Sequence, residues 1–156
     1  AVSLTERFQM SKPVNFEKRE KISVYLEKMF ENEVQLNHTV KSLIDSRFVK
    51  SIIGVGGTAN TLLCIKNGRI DYSANRYNAK INYSEVIEMI ETISKQTLTE
   101  RRNIPGLPAE RADIIFAGAM IVAHILKRFG SEKFFVSDRG VRHGLIIEAL
   151  SNRSSF

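Results

Sequence analysis

The sequence predicts an α/β domain rich in helix, on three observations. Two short β-rich apolar runs, Phe48–Val55 and Phe134–Ser137, each lead through a glycine-bearing turn into a segment of helical periodicity. Between them, apolar residues recur three and four apart, as on helices that bury one face. The 156 residues suffice for one core, and a hydrophobic share of 43% with 26% charged residues is that of a folded chain.

In chain order, Ala1–Thr5 alternates loosely and predicts a strand end, followed by a turn at Pro13 and Asn15. Phe16, Ile22, Leu26, Met29 and Phe30 predict a helix over about residues 16–32, and Val40, Leu43 and Ile44 a second over about 37–47. The strand ending at Val55 runs into Gly56-Gly57-Thr58 and a helix reaching Ile65. Asn82 and Glu85 have capping-box spacing, with Ile81 and Val86 placed as a hydrophobic staple, and open a helix to about Gln96. Pro105, Gly106 and Pro108 break the chain. Pro108 suits the first turn of a helix predicted from Ala109 to about Phe129, which is apolar on most faces and is expected at the buried centre. After Asp138-Arg139-Gly140 a last helix carries Val141, Leu145, Ile146 and Leu150.

Composition narrows the chemistry. Twenty-three Lys and Arg against seventeen Asp and Glu leave a formal charge of +6, a bias towards anionic partners that does not identify the anion. The longest apolar run, Ile114–Leu126, is interrupted by Gly118 and His124 and falls short of the about 20 residues a membrane span needs. Ala1–Phe8 carries Glu6 and Arg7 where a secretory signal is apolar, so a cytoplasmic protein is expected. Cys64, the single cysteine, lies in an apolar stretch and reads as a buried thiol. His38, His124 and His143 lack metal-ligand spacing, and His124, in the most apolar segment, reads as a core histidine.

Three clusters could contact a ligand. Gly54-Val-Gly-Gly-Thr58 lets the backbone approach closely, and Thr58 can cap a helix or donate its hydroxyl to a phosphate; a tight packing turn explains the same residues. Ser137-Asp-Arg-Gly-Val-Arg142 sets a carboxylate and two guanidinium groups at a second strand-to-helix turn, where Asp138 could equally cap the helix and pair with Arg142. Arg101, Arg102 and Arg111 bracket the Pro-Gly-Leu-Pro turn, either as phosphate forks or as solvated surface.

Ala1-Val-Ser-Leu-Thr-Glu-Arg-Phe8, Val55-Gly-Gly-Thr-Ala-Asn-Thr61, Ile104-Pro-Gly-Leu-Pro-Ala-Glu-Arg-Ala-Asp-Ile114 and Val136-Ser-Asp-Arg-Gly-Val-Arg142, taken together, resemble the exopolyphosphatase / guanosine pentaphosphate phosphohydrolase (Ppx/GppA) family. The resemblance implies an actin-like fold of two ribonuclease-H-like lobes, of which residues 1–150 would be most of the second and 151–156 a tail. It implies hydrolysis of the terminal phosphoryl group of inorganic polyphosphate or guanosine pentaphosphate, with Mg2+ in the cleft and a glutamate as base. The family's Asp-x-Gly-Ser-Asn loop, that glutamate and its Asp-x-Gly-Gly-Gly-Ser loop do not occur in this chain, so catalysis is expected to need segments upstream. Carried over residue by residue, Gly56, Gly57 and Thr58 would face the nucleotide and Arg111 would recognise phosphate, while no catalytic residue or metal ligand transfers.

Ser3 and His143 depart from the family's common arginine and glutamate, and no role is assigned to Arg139 or Arg142. The resemblance also implies a strand order of three, two, one, four, five, with Ala1–Thr5 as the third strand. That leaves a gap in mid-sheet, to be filled by the remainder of the same protein or a second copy. No membrane or nucleic-acid partner is expected. A non-catalytic anion- or nucleotide-binding module, or a lobe of another actin-like ATPase, remains as the alternative.

Overall fold

The computed structural model describes residues 1–10, 12–45, 49, 51–70 and 79–153. Phe48, the expected start of the first strand, and 46–47, at the expected end of the second helix, lie outside that set, as do residues 154–156 of the expected tail.

The chain opens with a helix, α1 (Val2–Phe8), where a strand end was expected. Five residues of loose alternation fit both periods, and the pair that decides is Leu4 and Phe8, one helical turn apart, with Leu4 buried and Phe8 packed on the core. The helix closes without glycine: Gln9 adopts φ 45°, the Gln9 amide donates to Glu6 and the Met10 amide to Thr5, so the Thr5 and Glu6 carbonyls are satisfied. Met10 follows with no exposure.

α2 (Phe16–Leu36) starts where Asn15 accepts from the Lys18 amide at 3.0 Å, and it runs about a turn beyond the expected end. Its buried stripe is Ile22, Leu26 and Val34, whereas Phe16 and Met29, assigned to that stripe by spacing, are exposed. α3 (His38–Asp45) is capped by Asn37, whose side chain accepts from the Val40 amide.

β1 (Ile53–Val55) feeds α4 (Gly57–Asn67), and α4 buries Ala59, Thr61, Leu62, Leu63 and Cys64. A strand the sequence reading passed over, β2 (Lys80–Asn82), leads into α5 (Tyr83–Ser94). The capping box of Asn82 and Glu85 is present, and Ile81 and Val86 are both fully buried. Burial pushes the Glu85 carboxyl up, but the Asn82 amide and the Lys66 ammonium, 2.8 Å away, hold it below the usual range. A second capping box, Thr97 with Glu100, starts the short α6 (Leu98–Arg101).

The helix expected from Ala109 to Phe129 is two pieces. A 3-10 turn, Ala109–Arg111, follows Pro108, and α7 (Ile115–Arg128) begins four residues later. The break turns Arg111 towards the start of α4. α7 is the buried centre, with Ile115, Phe116, Ala117, Ala119, Ala123 and Leu126 in a core shared with α4 and α5. β3 (Lys133–Ser137) then leads into α8 (Val141–Arg153).

The sheet runs β1-β3-β2. β1 pairs parallel to β3 with Gly54 opposite Val136, and β2 pairs antiparallel to β3 with Ile81 opposite Phe134. The two expected strands are thus neighbours, as a ribonuclease-H-like order of four beside five requires. Because Ala1–Thr5 is helical, the expected gap in mid-sheet is not found among the described residues: the three strands are contiguous. Among the described residues β1 and β2 are both edge strands, and on the β1 edge Ile53 and Val55 are 62% and 52% exposed. Among the described residues no helix is long and apolar enough to cross a membrane.

Candidate functional site

The carboxyl ends of β1 and β3 lie side by side, Val55 opposite Ser137. Each strand hands over there to a helix, which is where parallel sheets place their ligands. The resulting cleft, of about 440 Å³, is lined by Val55, Gly56, Gly57 and Asn60 from the first unit, Glu110 and Arg111 from the 3-10 turn, and Asp138, Gly140, Val141, Arg142 and His143 from the second unit. Stretches far apart in sequence therefore share one wall.

Each glycine of the first turn has its own cause. A Cβ on Gly54 would stand 2.8 Å from the Phe134 ring and 2.9 Å from the Ala59 Cβ, so that glycine is set by strand–helix packing. Gly56 adopts φ 97° and ψ −171°, a backbone region essentially confined to glycine, with open space around it. As N-cap it offers no side chain to the first amides of α4, which leaves that helix start to an outside acceptor. Gly57 has an ordinary helical backbone, and the neighbour of its missing Cβ is the Arg111 guanidinium.

Of the four residues expected at the ligand, Gly56, Gly57 and Arg111 come together in this cleft. Thr58 does not line it: its side chain lies against Gly118 of α7, where a Cβ would meet the Thr58 methyl at 2.6 Å and its Oγ1 at 3.1 Å. Arg101 and Arg102 do not join Arg111. Arg101 has no exposure and spends its donors on main-chain carbonyls, which corrects both readings of it, as a phosphate fork and as a solvated surface arginine.

The Ser137–Arg142 turn also differs from its simplest reading. Gly140, not Asp138, is the residue whose carbonyl receives the first helical bond of α8, from Gly144. Among the described residues no ion pair joins Asp138 to Arg142, and both face the cleft. Ser137 Oγ accepts from the Arg139 amide at 3.1 Å, which shapes the turn. Asn60, Glu110 and His143 are lining residues that the sequence reading missed or left without a role; for Asn60 the available signal was its place one turn into α4, on the side of Gly56 and Gly57.

Two guanidinium groups face two carboxylates here, so net charge alone does not select an anion. Two helices of 11 and 13 residues begin at the cleft, and the start of a helix carries free amides and the positive end of its dipole.

The pattern of the Ppx/GppA phosphatase family matches residues 1–153. This chain belongs to that family. Its fold is that of Ppx/GppA proteins, an incomplete ribonuclease-H-like lobe of the actin-like type. A solved Ppx/GppA family member from Aquifex aeolicus superposes with a TM-score of 0.80 at 24% identity, covering 99% of this chain and 47% of that one. The type II variant of the Aquifex aeolicus Ppx/GppA phosphatase gives 0.76 at 25% identity, over 94% of this chain and 46% of that one. An exopolyphosphatase from Cytophaga hutchinsonii gives 0.72 at 20% identity, over 96% and 46%. In sequence, a bifunctional 3-dehydroquinate synthase/phosphatase of Fusobacterium nucleatum subsp. nucleatum is 24% identical over 156 residues, 98% of this chain and 22% of the relative. The chain thus spans less than half the length of these Ppx/GppA relatives.

Proposed function

We propose that this Ppx/GppA phosphatase-family chain is the substrate-facing part of a cytoplasmic phosphohydrolase. Its reaction would release orthophosphate from the end of inorganic polyphosphate or from guanosine pentaphosphate, with the catalytic glutamate and phosphate loops supplied from outside this chain. The observation that carries the reading is the convergence on one cleft of the α4 start, the α8 start, Arg111 and Arg142. A transferring phosphoryl group spreads charge over its oxygens, and fixed amides with forked guanidinium groups meet that charge without reorganising. The chain's own residues bind and orient the phosphate.

Among the described residues no group of three His, Cys, Asp or Glu gathers to hold a metal, so the donors present do not fit a resident ion. On this reading Mg2+ in the complete enzyme is held mainly outside this chain. The open edge of β1 and the exposed face of α8, with Leu145, Ile146 and Leu150 each 59% exposed, are read as surfaces covered by the remainder of the same protein or by a second copy.

Phosphate release from polyphosphate with magnesium, beside calorimetric titration of tripolyphosphate, tests this. The isolated chain is expected to bind tripolyphosphate saturably and more weakly as salt rises, and to release no phosphate. Robust turnover by the isolated chain, or failure to bind, overturns the reading.

A further inference from the structure

Gly57 stands apart from the other crowded glycines. At Gly54 the obstacle to a Cβ is the Phe134 ring, at Gly106 the Cys64 carbonyl and at Gly118 the Thr58 methyl, all parts of the packed interior. At Gly57 it is the tip of a mobile cationic side chain: a Cβ would lie 2.6 Å from Nη2 and 2.7 Å from Cζ of Arg111, and nearer still to Nη1. The backbone of Gly57 is helical and needs no glycine, and alanine is the better helix former. Among the described residues no hydrogen bond or ion pair occupies the Arg111 guanidinium, so its donors are available to a ligand.

We propose that Gly57 is a positioning residue for Arg111: the bare Cα is the seat that lets the guanidinium lie against the first turn of α4, so that Arg111 and the α4 amides grip the same phosphate group. This rests on the reading of the cleft as a phosphate site. It differs from the ordinary account of a glycine turn, in which the missing side chain makes room for the ligand itself. Here the missing side chain makes room for another residue, and the two positions act as one unit. A methyl at 57 displaces the guanidinium at little structural cost, because the displaced atoms are the free end of a flexible chain. The lost contact is charge-assisted and therefore large.

The test is a double-mutant cycle of wild type, Gly57→Ala, Arg111→Ala and the double variant, titrated calorimetrically with tripolyphosphate and melted without it. Each single variant is expected to bind about ten- to a hundredfold more weakly, and the double variant no more weakly than Arg111→Ala alone. The Gly57→Ala melting temperature is expected to match or exceed that of the wild type. Gly57→Ser should behave like Gly57→Ala. Wild-type affinity in Gly57→Ala, or the full loss repeated on top of Arg111→Ala, overturns the coupling while leaving the phosphate site standing. Failure of the wild type to bind at all overturns the phosphate site. The seat is then read alone from the Arg111 Nε–Hε resonance in ligand-free protein, which must shift in Gly57→Ala; an unmoved resonance overturns it.

Discussion

Arg101 donates from Nη1 to the carbonyl of Met10 at 2.7 Å, joining residues 91 apart in sequence from a position with no solvent exposure. Its Nε donates to the Ile93 carbonyl at 3.2 Å and its Nη2 to the Lys12 carbonyl at 3.4 Å, while the guanidinium stands 5.7 Å from the centre of the Phe116 ring. Among the described residues no carboxylate pairs with it. Burial pulls its pKa down, yet an arginine starts so high that it stays charged. One side chain therefore ties the end of α1, the end of α5 and α6 to the central helix.

Arg101→Ala is expected to cost about 3–5 kcal/mol, because it leaves buried carbonyls unsatisfied and opens a cavity against Phe116. Arg101→Lys should recover only a minor part, since an ammonium cannot reproduce the three-way fork. Urea unfolding measures both. A loss below about 1 kcal/mol for Arg101→Ala, the size of an ordinary surface change, would show that the carbonyls find other donors.

Gly118→Ala should destabilise by about 1–3 kcal/mol although alanine suits a helix, since its Cβ meets the Thr58 methyl at 2.6 Å across the α4–α7 contact. Thr58→Ala removes both atoms that crowd it, so the double variant is expected to regain most of the loss. Thermal melting of the three variants decides the matter, and simple additivity of the two changes would refute the contact.

His124 carries a pH dependence whose sign follows from its surroundings. Burial in α7 against the Phe30 ring, 4.8 Å away, disfavours the imidazolium; Glu27 of α2, 3.3 Å from Nε2, opposes that, and the neighbouring Lys127 and Arg128 reinforce it. The net effect lowers its pKa from 6.5. Between the folded value and 6.5 the unfolded chain binds more protons, so stability is fully present above about 6.5 and declines as pH falls through that window. His124→Gln should flatten this part of the stability–pH curve. An equally steep decline in the variant would move the effect elsewhere.

The local grammar of the chain was legible from residues close together in sequence. Asn82 and Glu85 form their capping box, Ile81 and Val86 are buried about it, and Gly54–Thr58 and Ser137–Gly140 each pass a strand into a helix, because such signals are written within one turn of backbone. What the sequence could not decide depends on partners that folding brings from far away. Ala1–Thr5 fits two periods, and only the burial of Leu4 with Phe8 beside it selects the helix. Three arginines near one turn look alike as text. The tertiary structure encloses Arg101 among carbonyls from distant segments, leaves Arg102 in solvent and lays Arg111 on Gly57, because the cost of burying a guanidinium is set by the acceptors that arrive around it and not by its neighbours in the chain.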